Sequence, residues 1–398
     1  MLNHLAKTYF KTVKAAYGVF GFSRELWRCV AGLPVLGAVN HLGLALDHLF
    51  YPRFRTAAID APLFIMGHPR SGTTLLHRTL AGHPDAVCFR AWELFVPSLT
   101  WRRLLRQRFE TRDATLIAAQ AGHAVRWNDI EEEELLFMHM LDTQMATFIL
   151  PLGFSRGNLK DIGCDADFSR GVRSGRFLKG CLQRQVAQTG RQRVTARMNY
   201  SILRMRALRS VFPDARFVFV YRDPADAIAS HLSLHKRLFE DRWGSNSIPM
   251  DVWQRYVERR YDWSCAMYRR MAEEVAVAGN DRLMVISYND LVADLEEAVW
   301  RVAEFAGFEK NAAFEEAVNQ AVAAQREYRP KHSNLPLSAF GLSEKRIEAD
   351  LGAAKRTIAH ALAAMDGLKA NAVPVGRLSE PPHAPPPREE TSRQDGRR

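Results

Sequence analysis

Cysteine is scarce and scattered in this chain of 398 residues. The five cysteines are odd in number, and no two of them have the Cys-x-x-Cys spacing. This pattern argues against a disulfide framework and against a structural zinc site, and it favours buried thiols in a reducing compartment. No run of His, Asp and Glu has the spacing of metal ligands either, so the sequence predicts no bound metal.

A nucleic-acid signature is also missing, although the chain is basic. Its net charge is +11, from 55 Lys and Arg against 44 Asp and Glu. There is no dense Lys/Arg stripe with interleaved aromatic residues, no zinc-finger motif and no RNP-like motif. We therefore expect no nucleic-acid partner. The positive charge suits an anionic ligand, an acidic partner or a membrane surface, and it does not choose among them.

The N-terminal region has one stretch without charge. Residues 29–46 contain no Asp, Glu, Lys or Arg, and basic residues precede them, which is the charge order of a signal anchor. Against a spanning helix, the stretch contains Pro34 and Asn40, and Asp47 ends it early. The sequence favours a soluble helical hairpin, broken at residues 32–34 and packed on the main domain. An interfacial or substrate-facing helix is the next alternative, and a spanning helix the last.

Three regions follow from this composition. Residues 1–58 form a helical N-terminal segment, residues 59–368 the main domain, and residues 369–398 a disordered Pro-rich tail. We expect a cytoplasmic protein, with peripheral membrane contact through residues 1–50 as the alternative. The sequence makes no prediction of the oligomeric state.

Apolar runs alternate with helical patterns through the main domain. The strongest predicted strands cover residues 63–67, 86–89, 193–196, 216–221 and 283–288. This order predicts an α/β fold, a P-loop-like parallel sheet flanked by helices on both faces. In such folds the ligand binds at the carboxyl ends of the strands.

The segments between the strands carry further expectations. The pattern predicts a basic helix over residues 100–125 and a loop over residues 152–176. Another helix is expected to begin at Asn128. Since acids are favourable at a helix N-terminus, the run Glu131–Glu134 is interpreted as the solvated start of that helix.

A glycine-rich loop follows the first predicted strand. The segment Gly67–Thr74 has the Gly-x-x-x-x-Gly spacing of a phosphate-binding loop and leads into a helix. Its backbone N–H groups and the first helical turn would form a concave anion site. However, Thr73 stands where a nucleoside triphosphatase has Lys.

Four segments resemble the sulfotransferase family, in its order, over about residues 59–342. The loop segment is similar to the family's 5′-phosphosulfate loop, and the second segment resembles its 3′-phosphate element. The third is similar to a late strand–helix segment, and the fourth to a C-terminal signature of the bacterial-type branch. They are Pro69–Leu76; Phe212–Val218 continuing through Tyr221–Pro224 to Ser230; Tyr288–Asp294 with Phe305–Gly307; and Lys331-His332 with Leu337 and Phe340–Leu342.

The resemblance implies a donor and its ligands. The donor is 3′-phosphoadenosine 5′-phosphosulfate (PAPS), used without a metal. Arg222 and Ser230 are expected to hold the 3′-phosphate, and Arg329 and Lys331 either close over the nucleotide as a cationic lid or form a solvated basic loop. The loop residues expected to hold the phosphosulfate are Arg70, Ser71, Gly72, Thr73 and Thr74.

One departure from the family concerns the end of the middle strand. Related chains often carry Lys there, whereas this chain has Arg197. Arg197 and Arg70 are interpreted as the residues that stabilise charge during transfer. Because the alignment of Arg197 with that Lys is not fixed by the sequence, the group that Arg197 contacts stays undetermined at this point.

An acceptor hydroxyl needs a general base, and Glu93 is our prediction because it follows the second strand. A structural pairing of Glu93 with an Arg is an equal alternative. His123 and His139 are further alternatives, and His68 can line the site from within the loop.

The predicted activity is transfer of a sulfuryl group to an acceptor hydroxyl, less favourably to an amine. The acceptor would be a small molecule or lipid-like, in a pocket shaped by residues 152–176, residues 237–252 and the N-terminal helices. Two rivals remain: a P-loop kinase-like phosphotransferase, which lacks its Lys at Thr73, and a catalytically silent nucleotide-binding protein.

Overall fold

The computed structural model describes residues 2–111, 115–117, 125–157, 159–160, 162–243, 248–277, 281–329 and 333–371. The strands are β1 (Leu63–Gly67), β2 (Ala86–Val87), β3 (Thr115–Ile117), β4 (Val125–Arg126), β5 (Arg193–Arg197), β6 (Arg216–Tyr221) and β7 (Leu283–Ser287).

The α-helices, several of them preceded by short 3₁₀ turns, occupy most of the remaining described chain. They are α1 (Leu2–Phe20), α2 (Arg24–Phe50), α3 (Thr73–Leu80), α4 (Ala91–Phe95), α5 (Leu99–Glu110), α6 (Ala146–Ile149), α7 (Phe168–Thr189), α8 (Met205–Val211), α9 (Pro224–Trp243), α10 (Met250–Val275), α11 (Tyr288–Ala293), α12 (Leu295–Ala306), α13 (Ala312–Glu327) and α14 (Glu344–Asn371).

Five strands form one parallel sheet in the order β2-β5-β1-β6-β7. In the middle of the sheet, Ile65 of β1 lies between Arg197 of β5 and Val218 of β6. The chain leaves the central strand β1 first to one side and later to the other. Such a switch point opens a crevice at the carboxyl ends of the strands, which is where the predicted loop lies.

Helices cover both faces of this sheet, as the sequence predicts. Phe64 and Met66 of β1 face a core shared with α7, α8, α9, α10 and α14. Leu63 and Ile65 face the opposite core, shared with α3, α12 and α13. Because alternate side chains of a strand point to opposite faces, an apolar strand such as β1 requires cover on both sides. The α/β fold predicted from the sequence is confirmed.

The N-terminal region forms two helices, but the predicted break was misplaced. Helix α2 continues through Pro34, which is exposed, and the chain turns instead at Gly21, whose φ is +61°. A left-handed glycine ends a helix directly, because it reverses the backbone at little steric cost. Helix α1 packs on residues 151–154, where the rings of Phe20 and Phe154 lie 5.9 Å apart.

Residues Ala31–Phe50 of α2 are long and apolar enough to cross a bilayer by length and composition, and they lie near the N-terminus. Only 17% of that segment is buried against the rest of the protein. Length and composition alone are weak evidence for a span, since core helices and signal sequences pass the same test.

Two other expectations between the strands were wrong. The basic helix ends at Glu110, and β3 and β4 then pair in antiparallel register, because Thr115–Ile117 is β-branched and apolar. The predicted loop over residues 152–176 holds two short 3₁₀ turns, and α7 already begins at Phe168, capped by the Asp167 side chain.

Candidate functional site

The glycine-rich loop connects β1 to α3 at the central crevice of the sheet. A side chain at Gly67 would approach the Val220 carbonyl oxygen of β6 to 2.6 Å, so glycine is required there. Gly72 has a φ of +86° and precedes Thr73, the first residue of α3. Within the loop, the Ser71 N–H donates to the His68 carbonyl over 3.1 Å. The first turn of α3 therefore opens towards the loop with its backbone N–H groups.

Arg70 lies at the top of the loop and contacts a residue from a distant part of the sequence. Its Nε donates to Ser230 Oγ of α9 over 3.3 Å, which joins two residues that the sequence assigned to different phosphates. Arg70 is partly buried and has a positive φ of 76°. Burial lowers the pKa of Arg70 below its ordinary value, and the neighbouring Arg222 and Arg237 act in the same direction.

Arg222 follows the end of β6 and lies against the same loop. Its Nη1 donates to the Arg70 carbonyl over 2.8 Å, and its Cζ lies 4.5 Å from the centre of the Tyr288 ring. The Tyr268 hydroxyl donates to the Arg222 carbonyl over 2.9 Å. These contacts hold the guanidinium at the carboxyl edge of the sheet.

Arg70, Arg222 and Arg237 lie close enough to interact at this edge, and the nearby Glu240 offsets part of the charge of Arg237. Within the described ranges, no ion pair joins a carboxylate to Arg70, Arg222 or Arg237. The buried Nε of Arg237 also lacks a hydrogen-bond partner. Like charges so close together are unfavourable unless an anion lies between them. The cluster can therefore bind a ligand with more than one negative charge.

Arg197, at the end of β5, lies on the other side of the loop. Its Nη1 donates to Thr74 Oγ1 of α3, and its Nη2 is 3.0 Å from Glu131 and 3.4 Å from Glu132. Although burial lowers the pKa of Arg197, the carboxylates of Glu132, Glu131 and Glu133 raise it above its ordinary value. Arg197 thus contacts the loop, but its charge is compensated internally.

The acidic run Glu131–Glu134 is buried, so its interpretation as a solvated helix start was wrong. The carboxylate of Glu133 accepts the Arg197 N–H over 2.8 Å and the Phe89 N–H over 3.2 Å, which ties β5 to the end of β2. The 3₁₀ helix that follows begins at Glu133 rather than at Asn128. The acids accept hydrogen bonds from groups at the ends of strands, and these groups are distant from the acidic run in the sequence.

Burial makes two of these acids unusually basic. It raises the pKa of Glu132 to about 8, against the lowering effect of Arg197. It raises the pKa of Glu134 to about 7, against Arg204 and the hydroxyls of Ser201 and Thr143. Carboxyls with such pKa values titrate near neutral pH, unlike exposed ones.

A sequence profile of the sulfotransferase family matches residues 62–312, more than half of the chain. The chain belongs to the sulfotransferase family. It is therefore an enzyme that transfers a sulfuryl group. The match includes the loop, Arg197, Arg222 and Ser230.

Named relatives act on different acceptors. The sulfotransferase is 26% identical over 304 residues to omega-hydroxy-beta-dihydromenaquinone-9 sulfotransferase Stf3 of Mycobacterium bovis, covering 72% of this chain and 74% of that protein. It is 23% identical over 291 residues to the protein-tyrosine sulfotransferase of Drosophila melanogaster, covering 72% of this chain and 44% of that protein.

Solved structures show the same fold. The sulfotransferase STF1 of Mycobacterium tuberculosis superposes with a TM-score of 0.62 at 17% identity, covering 87% of this chain and 91% of that one. The sulfotransferase STF9 of Mycobacterium avium superposes with a TM-score of 0.63 at 18% identity, covering 78% and 80%.

Glu93 of the sulfotransferase lies in the first turn of α4, where it caps the helix. Its Oε2 accepts from the Arg90 N–H over 2.8 Å and from Gln185 Nε2 over 3.1 Å. Its Oε1 lies 4.0 Å from Arg102 Nη1 and accepts no hydrogen bond from the described residues. The structure therefore contains the pairing with an Arg, while one oxygen of this buried carboxylate accepts no hydrogen bond from the described residues.

The predicted histidines are held by other contacts. His68 is buried between the Pro69 carbonyl and Ser264 Oγ, each 2.8 Å from a ring nitrogen, and burial lowers its pKa to about 3. His139 is bonded to the Leu94 carbonyl over 2.8 Å, and burial lowers its pKa to about 4. Both are neutral near pH 7. His123 lies outside the described residues.

The predicted cationic lid is described only in part. Arg329 is exposed, and its Nη1 donates to the carbonyls of Arg326 and Tyr328. Lys331 and His332 lie outside the described residues. Beyond them, the Leu335 N–H donates to Ser233 of α9 over 2.9 Å, so this segment crosses the helix that carries Ser230.

One trio has the residue types of metal ligands. His77, Cys88 and Glu133 bring one ligand atom each within 4.8 Å of the others, and all are buried. Both oxygens of Glu133 already accept backbone N–H groups, and the Cys88 thiol points to the Thr195 carbonyl over 3.4 Å. Because these groups already have hydrogen-bond partners, we interpret the trio as a polar cluster beneath the loop and not as a set of metal ligands.

A cavity of about 580 Å³ lies between α10 and residues 144–160. Trp263 lines it, and the ring of Trp263 lies 5.9 Å from the ring of His68 in the loop. Arg260 also lines it, bonded to Thr147 over 2.7 Å and with two buried nitrogens unpartnered. A cavity of this volume is large enough for a small-molecule ligand. Of the segments predicted to shape the acceptor pocket, the one over residues 152–176 lines this cavity with Gly153, Arg156 and Lys160, among others, whereas no described residue of 237–252 or of the N-terminal helices does.

Proposed function

We propose that this sulfotransferase takes its sulfuryl group from PAPS and transfers it to a hydroxyl of a hydrophobic acceptor. The observation that carries the proposal is the cluster of Arg70, Arg222 and Arg237, with Ser230 bonded to Arg70. A donor with phosphates at two positions matches charge placed both in the loop and at the end of β6.

The residues present fit this donor. The loop offers backbone N–H groups and the hydroxyls of Thr73 and Thr74, with Ser71 and Gly72 forming its turn. Arg222 and Ser230 would hold the 3′-phosphate, and Arg70 the phosphosulfate. The Nε of Arg237, which has no hydrogen-bond partner among the described residues, supports the same assignment, since a buried donor favours an acceptor from a ligand.

The donor supplies an activated sulfuryl group with a good leaving group. The protein contributes positioning and positive charge, which dominate catalysis in transfers of this kind. Arg70 stabilises charge at the loop, and Arg197 fixes the Thr74 hydroxyl from the opposite side. A sulfonate carries a single negative charge, so these arginines are sufficient to complement it.

Glu93 remains our proposed general base. The bonds to its Oε2 fix the carboxylate, and its Oε1 can accept a proton from the acceptor hydroxyl. Glu132 is the competing candidate, because it lies beside Arg197 and has a raised pKa. Glu93→Gln should reduce turnover at least tenfold, with Glu132→Gln as the matched comparison. Full activity of Glu93→Gln would overturn the assignment.

The acceptor is proposed to enter the cavity beside α10. Its Trp263 wall lies next to the loop, and the known acceptor of the Mycobacterium bovis relative is a hydroxylated menaquinone, by its name. Ala266 lines the cavity on α10. Ala266→Trp should raise KM for the acceptor and leave nucleotide binding unchanged; an unchanged KM would place the acceptor elsewhere.

A single comparison tests the donor assignment. Adenosine 3′,5′-bisphosphate should raise the melting temperature of the protein more than ATP with Mg²⁺ does. A preference for ATP would favour the kinase-like phosphotransferase instead. Binding of the bisphosphate without turnover of PAPS, over a panel of alcohols and amines, would favour the silent nucleotide-binding protein.

A further inference from the structure

Helix α2 turns the polar side chains of Asn40 and Asp47 towards the protein. Asp47, the one charged residue of the segment Ala31–Phe50, is fully buried. It accepts from Arg184 Nε over 2.7 Å, from Ser98 Oγ over 2.9 Å and from the Thr100 N–H over 2.8 Å, at the start of α5. Asn40 is also buried and donates to the Phe95 carbonyl over 2.9 Å.

The outward side of the same helix is apolar. Because an α-helix turns by about 100° per residue, Val35, Val39, Leu42, Leu46 and Leu49 fall within an arc of about 80°. Leu42 is 54% exposed and Leu49 is 71% exposed. A surface helix of a water-soluble protein has the opposite arrangement, with its apolar side inward. We name these five residues the outer face of α2.

Basic residues surround this outer face. Arg24 and Arg28 continue the same arc at the start of α2, and both are exposed. Arg53 and Arg55, also exposed, follow its end. Residues 1–56 contain seven Lys and Arg against two acids, Glu25 and the buried Asp47. An apolar strip between cationic ends complements a lipid surface with negative headgroups.

The inward contacts decide how α2 can meet a bilayer. Trp101 Nε1 donates to the Val39 carbonyl over 2.8 Å, and Arg184 Nη2 donates to the Leu44 carbonyl over 3.1 Å. Together with Asn40 and Asp47, these bonds fasten the helix to α4, α5 and α7 along its length. A helix fastened in this way lies in the interface and does not cross the hydrocarbon.

We propose that the outer face of α2 docks this sulfotransferase onto an anionic lipid bilayer, with the helix in the plane of the interface. The proposal is independent of the donor and of the acceptor. Where the acceptor is a membrane-dissolved alcohol, docking would deliver the enzyme to it. The inward side of the same helix contacts α4, the helix that carries Glu93.

The test is co-sedimentation of the full chain with vesicles. The protein should pellet with phosphatidylcholine vesicles that contain phosphatidylglycerol, much less with phosphatidylcholine alone, and less as salt is raised. Val39→Asp with Leu42→Asp should lower the bound fraction at least tenfold. The matched control is Met250→Asp with Val277→Asp, which adds the same charge at apolar residues 77% and 61% exposed elsewhere.

A second pair of substitutions tests the proposal even if Val39→Asp with Leu42→Asp prevents folding. Arg24→Glu with Arg28→Glu changes exposed charges only and should remove the preference for anionic vesicles. The proposal is overturned if the parent chain fails to bind the anionic vesicles, or if the outer-face variants still bind. A parent dimer that Val39→Asp with Leu42→Asp converts to monomers would assign the face to a second copy instead.

Discussion

Arg197 ends one of the strands that flank β1 and Arg222 directly follows the other, yet they lie in opposite electrostatic surroundings. Arg197 faces carboxylates from Glu131 and Glu132 and donates its N–H to Glu133. Arg222 faces a carbonyl and the Tyr288 ring, with no acid among its described partners. The charge of Arg197 is neutralised within the protein, whereas the charge of Arg222 is available to a ligand.

The difference separates two functions of one residue type. A compensated arginine orders the groups around it, here Thr74 of the loop and the acids behind it. An uncompensated arginine is unfavourable in the free protein and favourable once an anion binds. Removing Arg197 should therefore damage stability, and removing Arg222 should damage binding. The following predictions test that division.

Arg197→Ala gives the largest expected effect. It leaves buried carboxylates without their cation, which should lower the free energy of unfolding by about 3–5 kcal/mol. Urea unfolding measures this loss. Adding Glu131→Gln to the variant should restore part of the stability, because Glu131 is the carboxylate nearest to the missing guanidinium. A loss below about 1 kcal/mol would show that Arg197 does not hold the acidic run.

Arg222→Ala should weaken binding of adenosine 3′,5′-bisphosphate by about 3 kcal/mol, roughly 100-fold, because charge-assisted hydrogen bonds are lost. Titration calorimetry measures the affinity, and urea unfolding should show little change. Arg222→Lys is the control and should recover only part of the affinity, since Lys lacks the planar fork of donors. An affinity unchanged in Arg222→Ala would move the second phosphate site elsewhere.

The raised pKa of Glu132 predicts that the protein loses stability as the pH rises towards 8. The pKa of Glu132 is raised to about 8 in the folded protein, so the folded state holds its proton more tightly than the unfolded state. Stability is therefore lost as pH rises from about 4.5 through 8, on the order of 1 kcal/mol per pH unit. Above pH 6.5 the buried histidines no longer oppose this slope.

Urea unfolding between pH 6.5 and 8 checks the slope, and Glu132→Gln should reduce it most between pH 7 and 8, above the pKa of about 7 of Glu134. Glu297→Gln, an exposed acid in the first turn of α12, is the control and should leave the slope unchanged. Equal slopes in the parent and in Glu132→Gln would mean that Glu132 is ionised throughout.

Ser230→Ala gives the smallest expected effect. It removes one hydroxyl contact to Arg70, so bisphosphate affinity should fall by about 1 kcal/mol, roughly fivefold. Ser210→Ala is the matched control, because the Ser210 hydroxyl bonds only the Ala207 carbonyl within α8. A loss in Ser230→Ala as large as that in Arg222→Ala would contradict the view that uncompensated charge dominates the site.

The surroundings of Arg222 were easier to predict from the sequence than those of Arg197. Strand β6 and the turn at Arg222 are local patterns, since an apolar run followed by Asp223 and Pro224 marks a strand, a cap and a helix start. The neutralisation of Arg197 depends on Glu131 and Glu132, which are more than 60 residues away. Four consecutive acids also fit a solvated helix start, and linear spacing cannot show that they are buried.

The N-terminal helix was ambiguous for a related reason. Its uncharged stretch suits a core helix, an interfacial helix or a span, and these differ in which side faces the protein. The burial of Asp47 and the exposure of Leu49 settle the orientation of α2. A signal was present in the sequence, because Asn40 and Asp47 are seven residues apart and so share one helix face.

The backbone of Arg70 sets activity against stability at the centre of the loop. A φ of 76° costs a residue with a side chain about 1–2 kcal/mol, a cost that glycine avoids. Arg70→Gly would relieve that strain. It would also remove a positive charge that has no ion pair among the described residues of the free protein. The folded chain would then gain stability while losing its hold on the donor, so selection for stability alone would remove the arginine that the reaction requires.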